Sequence, residues 1–145
     1  MIVRCASACV GAAFVFAGLD AVWLTTAGRA LYRPLLNPLL AAAPRPGPTA
    51  VFYLIYLLGV MVFAVAPALK AGHAWAATRR GALFGFFAYA TYDLTNQATL
   101  VFWSTRITLL DLAWGTFVTA AGATAGYWAG RTVGWTQSSM LEDQR

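Results

Sequence analysis

Apolar residues along this chain gather in four long runs, separated by short basic or proline-rich stretches. A run of about twenty residues, rising 1.5 Å per residue, makes a helix about 30 Å long, which matches the hydrocarbon core of a bilayer. The pattern predicts spanning helices over about 5–26, 49–69, 81–102 and 107–128. The expected fold is therefore all-α, a polytopic membrane four-helix bundle, with residues 1–130 as a single four-span domain and 131–145 as a polar C-terminal tail. The long connection, 27–48, carries prolines at 34, 38, 44, 46 and 48, which argue against a further span. Its Leu31, Tyr32, Leu35, Leu36, Leu39 and Leu40, flanked by Arg29 and Arg33, suit a segment lying in the membrane interface or a lid over whatever opens on that side. Pro67 is read as the end of the second span, and Lys70, His73, Trp75, Arg79 and Arg80 as a short basic loop at the headgroups.

Composition agrees with the pattern. Of 145 residues, 60% are hydrophobic and 10% charged, against roughly 45–50% and about 25% in a soluble domain. The net charge of +5 is spread singly or in pairs between the runs, so the lipid bilayer and not nucleic acid is the expected partner. The first run continues through Val22, Trp23 and Leu24, which favours an uncleaved span over a signal peptide. Cys5 and Cys9 lack further metal-ligating neighbours, and His73 sits among cations, so neither suggests a metal centre. There is no Gly-rich phosphate loop, nucleophile elbow or HExxH.

The exceptions to the apolar pattern are the informative positions. Three of the five acidic residues, Asp20, Asp93 and Asp111, fall inside spans, where ionisable groups are costly and usually face a bundle interior. Asp93, Asn96 and Gln97 stand at i, i+3 and i+4 and leave one helix face, next to Tyr92; Asp20 with Trp23 and Asp111 with Trp114 repeat an i, i+3 relation. With the expected boundaries Asp111 lies about 6 Å, Asp20 about 9 Å and Asp93 about 13 Å in from the face bearing the long loop. The opposite halves, 6–19, 57–66, 82–91 and 115–125, hold no charged residue. A polar string that enters from one side and stops near the midplane suits a one-sided pocket, whereas a pore or proton wire needs polar groups across the whole thickness. Candidate ligand-binding residues are Asp20, Trp23, Tyr92, Asp93, Asn96, Gln97, Asp111 and Trp114, with Trp103 as a further aromatic wall.

Two kinds of role compete for these residues. In a purely structural role each acid fixes helix register, Asp111 against Arg106, Asp20 against Arg29 or Arg33, and Asp93 against Asn96, Tyr89 or a threonine of the last helix. As a site, they suit a small ligand, a cation or a lipid headgroup, or an acid and base pair acting on a lipid-soluble substrate, or one part of a transporter or channel. No cofactor follows from the sequence, and whether the protein is an enzyme stays open. Gly122, Gly126 and Gly130 form two GxxxG steps that predict a tight helix contact, within the bundle or in a homo-oligomer. Arg4, Lys70, Arg79, Arg80, Arg131 and Arg145 on the side of the termini outnumber Arg29, Arg33, Arg45 and Arg106 on the other, which places the termini in the cytoplasm.

The segments 19–24 (LDAVWL), 92–100 (YDLTNQATL) and 111–115 (DLAWG) resemble the hallmark segments of a bacterial four-helix integral membrane family, domain of unknown function 2177, a predicted membrane protein. The resemblance runs from about Ala12 to Trp128 and implies a small protein of the bacterial inner membrane. It makes the three acid-bearing segments family landmarks and implies no activity, substrate or cofactor.

Overall fold

The computed structural model describes residues 2–36, 40–41 and 43–142, with side chains through Val133. Four helices account for nearly all of them: α1 (Ile2–Leu36), α2 (Pro46–Ala71), α3 (Ala74–Thr99) and α4 (Thr105–Glu142). Three segments, Ile2–Leu36, Pro46–Ala71 and Thr105–Val133, are long and apolar enough to cross a membrane. At 26 residues α3 has the length, about 39 Å, but more polar side chains.

The helix ends depart from the sequence reading, and prolines explain the largest departure. The first helix does not stop at 26 but runs through Pro34 to Leu36, so the first third of the expected interfacial loop is helical. Just before that proline the helix widens over Gly28–Tyr32, and the Arg33 N–H bonds the Gly28 carbonyl five residues back. The same device precedes Pro67: the helix widens over Met61–Val65 and the Ala66 N–H bonds the Met61 carbonyl. A proline inside a helix lacks a donor and its ring crowds the carbonyl four residues earlier; a widened turn shifts those carbonyls and lets the helix continue. Pro46 opens α2, where a missing N–H costs nothing. Pro38 and Leu39 of the expected loop lie outside the described residues.

Between α2 and α3 the chain reverses at Gly72, whose φ of 80° suits glycine, and whose N–H caps the Ala68 carbonyl at 2.9 Å. This lets α3 start at Ala74, ahead of the expected 81, so Arg79 and Arg80 belong to its first turns. The last helix passes the expected boundary at 131 and takes in most of the tail; 143–145 lie outside the described residues.

Helix α4 is the central element, with α1 and α3 on either side of it. Small residues make both contacts close. Along one side Gly122, Gly126 and Gly130 meet Phe16, Ala12 and Ala8 of α1; a Cβ at Gly126 would stand 2.9 Å from that of Ala12. Along the other, Gly81 and Gly85 of α3 meet Ala123 and Thr119. The GxxxG face, expected to serve a helix neighbour or a second copy, is thus filled by α1 of the same chain. Close approach matters because lipid tails are as apolar as the side chains, leaving dispersion and hydrogen bonds to hold helices together. Two hydroxyl pairs add to it, the buried Tyr56 with Thr119 and the half-buried Thr78 with Thr124, both at 2.7 Å. Phe16 stacks on Tyr56 at 5.0 Å, and Tyr56 meets Phe84 and Tyr89; beyond them the core is Val60, Ala64, Val65, Ala68, Val118 and Tyr127.

Candidate functional site

One end of the bundle gathers the late part of α1, the start of α2, the end of α3 and the start of α4. Because α3 ends at Thr99 and α4 begins at Thr105, Asp93 and Asp111 each lie six residues inside their helix, or about 9 Å. The unequal depths expected from the sequence, about 13 and about 6 Å, become equal. The two carboxyls come within hydrogen-bonding reach of one another, and Asp20 is in electrostatic range of Asp111. All three acids are buried, at 7% exposure for Asp20, 0% for Asp93 and 4% for Asp111.

Tyrosines, not arginines, meet two of them. The Tyr53 hydroxyl donates to Asp20 Oδ2 at 2.5 Å. Tyr32, delivered by the widened turn of α1, donates its hydroxyl to Asp111 Oδ1 and accepts from Trp23 Nε1 at 3.2 Å. The expected partners Arg29, Arg33 and Arg106 are exposed. A phenol is the gentler choice here, since it donates one hydrogen bond without bringing a second charge out of water. Asp93 has no such partner: neither of its oxygens receives a hydrogen bond. Its polar neighbour is the Asp111 carboxyl, an acceptor too, so that contact supplies no donor while both are ionised.

Aromatic rings form the walls. Trp23 and Trp114 stack with centroids 4.5 Å apart and planes 7° from parallel. The buried indole N–H of Trp114 has no acceptor. Tyr89 lies against Gly115, where any side chain would collide with its ring, and is in electrostatic range of Asp20 and Asp111. Above them the extension of α1 sits over the start of α4: Leu31 and Leu36 pack on Ile107, flanked by Tyr32 and Trp103, in an apolar cluster separate from the main core. That is the place the sequence suggested for a lid.

The remaining candidates lie at the margin. Gln97 ties the turn between α3 and α4: its Nε2 donates to Thr105 Oγ1 at 2.9 Å and its Oε1 accepts from Thr108 Oγ1 at 2.7 Å, which in turn accepts from Trp103 Nε1. Asn96 is partly buried, its backbone carbonyl taking the Leu100 N–H at 2.8 Å. Tyr92 is 60% exposed and stands edge-on to Trp103. Sequence reasoning missed Tyr32 and Tyr53 as partners of the acids, and gave Tyr89 only as one structural partner for Asp93. A usable signal existed: Tyr53 starts its helix on the side of the long loop, and Tyr89 stands one turn from Asp93 on the same face. Among the described residues no three His, Cys, Asp or Glu side chains come close enough to hold a metal ion.

A family model with the description "Predicted membrane protein (DUF2177)" matches residues 5–128, a range that includes all three aspartates and the tyrosines that meet them. No curated protein and no solved structure matches the chain.

Proposed function

Because the chain belongs to the DUF2177 family of predicted membrane proteins, we propose that it is a small protein of the bacterial inner membrane whose carboxylate-lined end binds a small ligand or lipid headgroup. In this reading residues 1–130 form one domain with α3 as its fourth span. The basic residues at the far end, Arg4, Lys70, Arg79, Arg80 and Arg131, then face the cytoplasm with the termini, and the acids open to the outer leaflet.

A single observation carries the reading. A carboxylate with no exposed surface and no hydrogen-bond donor is expensive unless something supplies the donor, and Asp93 is such a group. The apolar core beyond Tyr56 and Phe16 favours binding from one face over passage through the monomer. A second class, a membrane-embedded enzyme acting on a lipid-soluble substrate, is supported by the contact between Asp93 and Asp111, since two acids able to hold one proton between them suit general acid and base work.

The test is a thermal-unfolding screen of the detergent-purified protein against amines, divalent cations and lipid headgroups. Binding requires at least one compound to stabilise the wild type and not Asp93→Asn; a screen in which nothing does so refutes the site. The enzyme reading instead requires that deletion change the cell's lipid profile and that wild type, but not Asp93→Asn, restore it.

A further inference from the structure

We propose that the group bound beside Asp93 is a primary ammonium, carried by a lipid headgroup or by a free amine. The inference rests on reading this end of the bundle as a binding site, and names its ligand class from the hydrogen bonds left unmade. The unmet demand is for donors and positive charge. Both Asp93 oxygens lack a donor, and Tyr32 takes one oxygen of Asp111 and leaves the other.

Candidate ligands differ in what they bring to those three oxygens. A proton shared between Asp93 and Asp111 satisfies one oxygen of each and leaves the second Asp93 oxygen buried without a partner. An anion adds charge of the wrong sign. A divalent metal held by these two carboxyls alone would have to bring most of its oxygen shell as water into a buried, aromatic-walled site, since no three acidic, histidine or cysteine side chains among the described residues are close enough to hold it. A quaternary ammonium has the charge and suits aromatic walls, but carries no N–H at all. A primary ammonium has three N–H donors and a compact positive charge, one donor for each free oxygen. The parallel Trp23 and Trp114 rings supply a wall that tolerates a cation. The unpaired Trp114 N–H asks in addition for an acceptor, which an amino alcohol or its phosphate ester brings along with the amine.

The experiment uses the full chain in detergent in an amine-free buffer, with unfolding midpoints measured in ethanolammonium, tetramethylammonium and sodium chlorides at equal ionic strength. Ethanolammonium is expected to raise the midpoint by several degrees over sodium, tetramethylammonium not to, and Asp93→Asn to respond to neither. The comparison of the two ammonium salts on wild type stands even where the variant folds poorly. Nanodiscs then separate the sources. A midpoint higher in phosphatidylethanolamine than in phosphatidylcholine, with no further rise on adding ethanolammonium, assigns the headgroup; an equal rise in both lipids assigns the free amine. Equal effects of the two ammonium salts, no effect of either together with no difference between the lipids, or a response that survives Asp93→Asn overturns the ammonium. If a divalent cation or another headgroup stabilises the wild type alone, the ammonium falls and the binding site stands; if no probe does, both fall.

Discussion

Replacing Asp93 by asparagine should make the empty protein more stable, the reverse of what a buried acid fixing helix register would give. Asp93 is fully buried and neither oxygen has a donor. Leaving one buried polar group unsatisfied costs about 1–3 kcal/mol, and more when the group is charged. Asparagine keeps the volume, removes the charge and brings two N–H donors toward the Asp111 carboxyl. The expected gain is therefore about 1–3 kcal/mol, roughly a 5- to 160-fold change in the folded to unfolded ratio. The assay is reversible unfolding in detergent followed by tryptophan fluorescence, without amines, which would mask the effect by filling the site. Tyr53→Phe in the same assay should move the other way by about 1–3 kcal/mol, because it strips Asp20 of the hydroxyl that donates to it. Two changes in one site with opposite signs are hard to obtain from general loosening. If Asp93→Asn instead loses about 1 kcal/mol or more, a donor reaches that carboxylate and the argument for a ligand fails.

Other substitutions test the supporting parts. Gly85→Ala would set a Cβ 2.6 Å from Thr119 Oγ1 and harder still against the Gly115 carbonyl, and should cost about 1–3 kcal/mol in the same unfolding assay. Gly18→Ala, with nothing within 4 Å of the new methyl, should gain about 0.5–1 kcal/mol from helix propensity. Gln97→Ala breaks its bonds to Thr105 and Thr108 and should destabilise by about 1–2 kcal/mol while leaving the ethanolammonium response intact, which separates its role in the turn from any role toward ligand. Tyr32→Phe unties Asp111 from the α1 extension. It should speed maleimide labelling of a cysteine placed at Leu36, which is buried where the extension packs on Ile107, measured with Cys5 and Cys9 replaced by serine.

The spans were legible because long apolar runs have few alternatives, but their ends were not. Pro34 and Pro67 read as stop signals, since a proline breaks an ordinary α-turn; nothing local announces that the preceding turn widens to admit it. The depth of Asp93 was misjudged because the other helix ends were misplaced as well. Three residues of error at the end of α3 and two at the start of α4 hid the fact that Asp93 and Asp111 are level. The acids themselves stood out, because burying them is costly wherever they point. Their partners did not stand out, because pairing by charge and nearness along the chain selects Arg29, Arg33 and Arg106, whereas packing turns those side chains outward and brings in tyrosines from 33 and 79 residues away. The glycine spacing of the last helix announced a close contact but could not say with which helix.

What keeps Asp93 unsatisfied is the seam below it. A carboxylate on a pliable helix would relax toward a hydroxyl or toward water, and Thr108, Thr116 and Thr119 all stand on the neighbouring helix. Each of those hydroxyls is already committed, Thr108 to Gln97, Thr116 to the Leu112 carbonyl and Thr119 to the Gly115 carbonyl. The approach of α3 to α4 is fixed at the same time by Gly81 and Gly85, where the backbones have no room to slide. Rigidity about two and three turns below thus holds the acid in place, which is how a site is kept ready for a charge it does not yet hold. A side chain at Gly85 therefore acts on Asp93 without touching it. By pushing the two helices apart it should admit water to the carboxylate and weaken the response to ethanolammonium more than Gln97→Ala does at equal loss of stability. Equal weakening at equal stability would mean that the seam merely holds the fold together and that the readiness of Asp93 arises elsewhere.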